Sequence, residues 1–236
     1  MCYNLIMELR PIAHIRNNFK EKFGIPRQSG LSDIISEIVF EKEFRDANAL
    51  RGLEGFSHIW LIWGFSENQE INDSTFRPTV RPPRLGGNER AGVFATRSPF
   101  RPNPIGLSSV ELRAIRNTEE GPVLEVVGAD LMDGTPIYDI KPYLKDFDCH
   151  TDARSGFADE REYSTLEVDF PQELLEKIPE LDRKPLIQAL EQDPRPHYQD
   201  DPDRIYGMLF GKNNIRFRIS DGTLKVTEIS ESHQDS

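Results

Sequence analysis

The chain has 236 residues, 37% hydrophobic and 29% charged, with 29 Lys and Arg against 40 Asp and Glu for a formal charge of −11. The 14 Phe, 2 Trp and 6 Tyr, added to the aliphatics, supply enough apolar mass for a packed interior, which excludes a disordered chain. No apolar run approaches the ~20 residues of a membrane-spanning helix, and Cys2 and Cys149 have neither metal nor redox spacing, so a reducing, cytoplasmic setting is expected.

In chain order, residues 12–16, 36–44, 58–66, 92–97, 107–115 and 123–131 alternate apolar and polar positions and are rich in β-branched and aromatic side chains, which predicts six or seven strands. One short helical stretch, residues 46–53, interrupts them. Strands that follow one another without ten-residue helical crossovers predict a mainly β, antiparallel, barrel-like sheet and argue against a doubly wound dinucleotide fold. Residues 146–163 are charged and poor in aliphatics, as expected of a linker or loop lying on the surface. The expected organisation is therefore a β unit over residues 1–145, an acidic linker over 146–163 and a small α+β unit over 164–236. In the last, a strand at 166–170 precedes a helix opening at Pro171 and another at 184–192. A hairpin of residues 214–219 and 223–229 then turns at Ser220-Asp221-Gly222. A unit of that size has a marginal core of its own and is expected to lean on the barrel.

The charge is unevenly placed. Residues 77–101 hold six arginines (Arg77, Arg81, Arg84, Arg90, Arg97, Arg101) and one acid, Glu89; residues 146–203 hold 17 acids and 6 bases and so account for the whole net charge. A charge run is ordinarily a solvated loop. Here every base is Arg, whose planar five-donor fork suits phosphates and carboxylates, and prolines between them stiffen the loop that displays the forks.

Familiar catalytic spacings are absent. There is no GxSxG elbow, HExxH, CxxC, Walker lysine or strand-following GxGxxG, and the five histidines share no ligand spacing, so neither a metal nor a nucleophile-dependent enzyme is expected. Three proline-rich stretches stand out instead: residues 77–88, 92–106 and 133–143, each carrying Arg, Asn, Asp, Lys or Tyr beside the prolines. One such stretch would pass as a rigid β-connection; three together favour a functional surface.

These stretches carry a resemblance. Phe23-Gly24-Ile25-Pro26-Arg27-Gln28, residues 50–58, 77–88, 95–106 and 133–143, and in the tail residues 192–198 and 204–207, closely resemble the TrmO family (TsaA-like, YaeB-like, VirR) across nearly the whole chain. The resemblance implies a single-sheet β-barrel working as a homodimer and using S-adenosylmethionine. The implied reaction methylates N6 of threonylcarbamoyl-modified adenosine 37, beside the anticodon of a threonine tRNA. It places the cofactor against Pro26, Arg27, Gln28, Ser66, Glu67, Arg97, Leu107, Asp133, Gly134, Thr135 and Pro136. For catalysis, Asn103 (fixed between Pro102 and Pro104) or Asp139 is nominated to accept the N6–H, with Tyr143 as a stacking platform for the base; for Asn103 a simple turn-forming role stays equally open. Arg97, Arg101 and Lys141 are assigned to anionic groups of the substrate or tRNA. On this reading tRNA is steered to the arginine loops, and the acidic linker lies outside its footprint. Two other readings stay open: a non-catalytic module that binds RNA or an acidic partner, and a methyltransferase of the same fold acting on a small molecule or protein.

Overall fold

A computed structural model describes residues 8–65, 76–82, 89–159, 165–195 and 201–232. The N-terminal part is built from β1 (Ala13–Arg16), β2 (Ile35–Phe40), β3 (His58–Gly64), β6 (Ile105–Thr118), β7 (Gly121–Val127) and β8 (Pro136–Pro142), with a small separate ladder of β4 (Thr79–Val80) and β5 (Ala91–Gly92). The six main strands pair antiparallel in the order β1-β2-β7-β6-β3-β8. Ala13 and His14 of β1 then pair with Ile137 and Pro136 of β8, closing the sheet into a barrel without free edges. Period-two patterning sets which side chains fill it: Ala13, Ile15, Ile38, Ile59, Leu61, Val110, Leu124, Val126 and Ile137 are fully buried, while His14, Arg16, Trp60 and Ile62 between or beside them are more exposed.

Several expected elements change. Residues 92–97 do not make a full strand: only Ala91–Gly92 pairs, and Val93–Ala95 forms a 3-10 turn that buries Val93 and leaves Phe94 exposed. The helix expected at 46–53 is a chain of 3-10 turns, because Asp46 caps the amide of Asn48 at 2.9 Å and Gly52 takes a φ of +88°. Conversely, the proline-rich stretch after Gly134 contains a true strand, β8; its prolines stand at the first and last positions, where a missing N–H does least harm to the ladder.

After α1 (Lys145–Asp148), the C-terminal part consists of β9 (Glu167–Asp169), α2 (Gln172–Leu175), α3 (Glu180–Glu191), β10 (Tyr206–Phe210), β11 (Asn213–Ser220) and β12 (Thr223–Glu231). Its sheet runs β10-β11-β12-β9, with β9 parallel to β12 and the expected turn between β11 and β12. Strand β10 was not expected from the sequence. No helix among the described residues is long and apolar enough to cross a membrane.

The second core is not made by the tail alone. Phe19 and Ile34, with Phe23 and Ile25 partly buried, come from the β1–β2 connection and pack among Leu186, Leu190, Tyr206, Met208, Phe210 and Phe217. Phe19 meets Phe210 edge-on at 5.7 Å, and Phe23 stacks on Tyr206 and Phe217. Helix α3 clasps the end of the same connection: Ser32 Oγ donates to the Pro185 carbonyl at 2.9 Å, and Asp33 takes hydrogen bonds from Gln188 and Lys184. Those two bonds, Lys184 first, hold the Asp33 carboxyl below its ordinary value. The connection is thus a layer shared by both sheets. Truncating its central ring, Phe19→Ala, is expected to cost about 3–5 kcal/mol, measured as a lower midpoint in urea unfolding; a loss below about 1 kcal/mol would show that the two cores do not depend on this residue.

Candidate functional site

A cleft of about 1340 Å³ opens at the end of the barrel where β3 finishes and β6 and β8 begin, roofed by the β1–β2 connection and the residue 93–104 loop. Trp63, Phe65, Leu131 and Met132 form an apolar floor; Pro26, Arg27 and Gln28 line one wall, and Phe94, Arg97, Pro99 and Phe100 another. Each wall is held by its own bonds. Gln28 Nε2 donates to the Arg27 carbonyl at 2.6 Å and its Oε1 accepts from Arg97, which ties the two walls together. In the 93–104 loop, Thr96 Oγ1 donates to the Val93 carbonyl at 2.9 Å, and Arg101 donates to the Thr96 carbonyl at 3.1 Å. Arg101 therefore braces the loop that presents Arg97.

The floor depends on a close backbone approach. A Cβ at Gly106 would lie 2.2 Å from the ring of Trp63, so glycine is what lets the indole lie across β6. Trp63 Nε1 donates to Ser108 Oγ at 3.0 Å, and Ser108 donates to Asp130 Oδ1 at 2.6 Å. Burial pushes the Asp130 carboxyl above its ordinary value, and the Ser108 hydrogen bond, backbone bonds at Asp130 and Ser29, and the Arg97 charge pull against it.

Of the residues assigned to the cofactor, Pro26, Arg27, Gln28, Arg97 and Thr135 line the cleft together. Ser66 and Glu67 lie outside the described residues. Asp133 and Gly134 sit behind the wall: Asp133 Oδ1 accepts from the Asn17 amide at 2.9 Å and Oδ2 from Lys20 Nζ at 2.7 Å, while Gly134 turns the chain with a φ of +77°. Pro136 begins β8 opposite His14. Leu107 points away from the cleft, 54% exposed beside Ile62 on the barrel's outside.

The catalytic nominees are dispersed. Asp139 stands beside Ile62 on the outside of the barrel, paired with Lys141 at 2.8 Å, so neither side chain lines the cleft of its own chain. Tyr143 likewise packs on that outer face against Trp60 and His58, at 5.6 and 6.1 Å. Asn103 is exposed in the loop ahead of β6, where its carbonyl accepts from the Ile105 amide at 2.7 Å in a tight turn. The rings that do stand at the cleft mouth are Phe94, 71% exposed, and Phe100, 47% exposed, with Phe76 stacked on Phe94 at 6.1 Å. Sequence reading missed them, although Phe94 and Phe100 lie within the second proline-rich stretch. It also missed Asp130, three residues ahead of the third stretch. The linker expected to lie apart contributes Ser155, Phe157 and Ala158 to the cleft, because this uncharged piece of the acidic segment has an aromatic ring to bury.

Residues 14–149 match the model of the tRNA-methyltransferase O N-terminal domain, and residues 163–232 match that of the TrmO C-terminal domain. The chain belongs to the TrmO family. It is 40% identical over 228 residues to the tRNA (adenine(37)-N6)-methyltransferase of Escherichia coli K12, covering 93% of this chain and 96% of that protein. A Pseudomonas aeruginosa PAO1 protein whose name includes "S-adenosylmethionine-dependent methyltransferase RcsF" is 42% identical over 210 residues, 84% of this chain and 86% of that protein. A crystal structure of TrmO from Pseudomonas aeruginosa superposes with a TM-score of 0.75 at 31% identity, covering 96% of this chain and 99% of that one.

Within this TrmO chain, Asp133 fastens two backbone segments, and its substitution reads out as stability. Asp133→Ala is expected to cost about 1.5–3 kcal/mol through the lost charged hydrogen bonds, seen as a lower urea midpoint.

Proposed function

We propose that this chain transfers the methyl group of S-adenosylmethionine to N6 of adenosine 37 in the anticodon loop, its substrate being the threonylcarbamoyl-modified adenosine of a threonine tRNA. The observation that carries the reading is the cleft: Pro26, Arg27, Gln28, Arg97 and Thr135, which the resemblance gives to the cofactor, meet there with the arginine loop. Its volume of about 1340 Å³ exceeds the ~300–1,000 Å³ of an ordinary small-molecule site, which leaves room for a splayed-out nucleotide beside the cofactor.

The lining fits the cofactor's chemistry. Trp63, Phe65, Leu131 and Met132 suit its adenosine and methyl end, and Arg97 with the 26–28 backbone suits its amino-acid carboxylate. When bound, the cofactor supplies a methyl carbon activated by positively charged sulfur. The protein's task is then placement, because the exocyclic nitrogen is a poor nucleophile; correct alignment is worth about 7–11 kcal/mol. Arg77, Arg81, Arg90 and Arg97 converge on the same opening and supply phosphate and carboxylate contacts. Phe94, with Phe76 behind it, takes the base-stacking role for an unpaired loop nucleotide.

The outer face completes the reading. Trp60, Tyr143, Leu107, Leu144 and Phe147 make an apolar surface there, with Leu107, Leu144 and Phe147 54%, 44% and 77% exposed. We assign it to a second copy of the chain in a homodimer, an arrangement that would bring Asp139 and Lys141 of one copy into a shared site. The division at residues 1–145, 146–163 and 164–236 is proposed on the same footing, with the tail assisting tRNA binding. The expected setting is the cytoplasm.

Two measurements test this. Bulk tRNA from cells lacking the chain should lose its N6-methyl-threonylcarbamoyladenosine peak in nucleoside mass spectrometry, and the purified protein should restore it; tRNA without the threonylcarbamoyl group should be a poor substrate. An unchanged peak would reject the function. Phe94→Ala should weaken tRNA affinity by about 1–3 kcal/mol while leaving S-adenosylmethionine affinity intact by calorimetry.

A further inference from the structure

Among the described residues, the charged groups lining the cleft are Lys22, Arg27, Arg77, Arg81, Arg90 and Arg97 on one side of the balance and Asp130 on the other. A carboxylate on the floor of a cation-lined cleft invites a role. Its position is fixed from beneath. Because Trp63 Nε1 donates to Ser108 Oγ, the Ser108 hydroxyl hydrogen is committed to Asp130 Oδ1. The backbones of Asp130 itself and of Ser29 also favour the charged carboxylate. A carboxylate offers about four lone-pair sites, so capacity remains for a donor arriving from the cleft.

We propose that Asp130 is a catalytic residue whose carboxylate accepts the N6–H of the target adenine and takes that proton as N6 bonds to the methyl carbon. The proposal rests on the methyltransferase reading above. The N6 lone pair forms the new N–C bond. The sulfonium C–S bond breaks with its electron pair left on sulfur, and the N6–H bond breaks with its pair left on nitrogen. The proton ends on an Asp130 oxygen, so the positive charge at sulfur and the negative charge at Asp130 disappear together and nothing is oxidised or reduced. Asn103 has no basic group to hold such a proton, and Asp139 is paired with Lys141 outside the cleft of its own chain.

Burial supports the assignment by raising the Asp130 carboxyl toward the pH at which it must work. The charge acting on it is that of Arg97 from the residue 93–104 loop, and Lys22 and Arg27 of the β1–β2 connection line the same cleft; β3 and β6 contribute the uncharged Trp63 and Ser108. A base must be deprotonated to act, so the rate is full above the Asp130 pKa and lost as pH falls through it.

Asp130→Asn keeps the side chain's shape and removes its basicity. Turnover of threonylcarbamoylated tRNA at saturating substrate should fall about 10²–10⁴-fold, while affinity for S-adenosylhomocysteine by calorimetry stays that of the wild type. The acid limb of the kcat profile should vanish in Asp130→Asn. In Ser108→Ala it should move to higher pH, because the lost hydrogen bond was lowering the pKa. A merely structural role moves neither limb, and Ser108→Ala decides the matter if Asp130→Asn does not fold. Wild-type turnover in Asp130→Asn, cofactor affinity lost in step with turnover, or an unmoved limb in Ser108→Ala each overturns the proposal. The same holds if Asp139→Asn abolishes turnover while Asp130→Asn retains it. Should the wild type methylate tRNA and Asp130→Asn do so equally, only this assignment falls; should the wild type fail, the reading beneath it falls too.

Discussion

The molecule turns on the fastening of the β1–β2 connection to the turn before β8. Asn17 is buried at the centre of it: its side-chain amide donates to the Leu131 carbonyl at 2.9 Å and to Ser36, and its oxygen accepts from the Phe19 amide. Asp133 returns the clasp by accepting from the Asn17 backbone and from Lys20. A buried polar hub is stabilising only when its partners are all met, and removing one strands the others. Because this hub is complete, a long connection that would otherwise wander is held against the barrel mouth.

Two results follow from that one attachment. On its inner side the connection carries Pro26, Arg27 and Gln28 over Asp130, Leu131 and Met132, which closes the cleft. On its other side it offers Phe19, Phe23, Ile25 and Ile34 to the C-terminal sheet and α3, giving a small unit the core it lacks alone. Stability of the tail and shape of the cleft are thereby coupled through the same run of residues.

Electrostatics then divides the surface. Among the described residues six cationic side chains converge on the cleft, while residues 146–203 hold the acids that give the chain its net charge of −11. The division is not complete, since Ser155, Phe157 and Ala158 of the acidic segment form part of the wall. They carry no charge, so the opening keeps its positive character where an RNA backbone would approach.

Much of the barrel was legible because period-two burial repeats along each strand: Ile59, Leu61 and Trp63 against Trp60 and Ile62 is a pattern written in adjacent residues. The family motifs likewise stood in continuous sequence, and with them Pro26, Arg27, Gln28, Arg97 and Thr135. The sequence by itself therefore determined most of the barrel strands, the arginine loop and the kinship. Only tertiary structure decided which side of the barrel each motif residue faces. Asp139, Lys141 and Tyr143 share a motif and a parity with Thr135 and the buried Ile137 yet lie on the outside, because a bulge against β3 between Ile62 and Trp63 shifts the alternation of β8 by one residue and turns Ile140 inward instead. It also decided that Asp130, unremarkable in the chain, sits above Ser108 and Trp63 from two other strands. No local pattern encodes a meeting of residues 63, 108 and 130; it exists only once the sheet has closed.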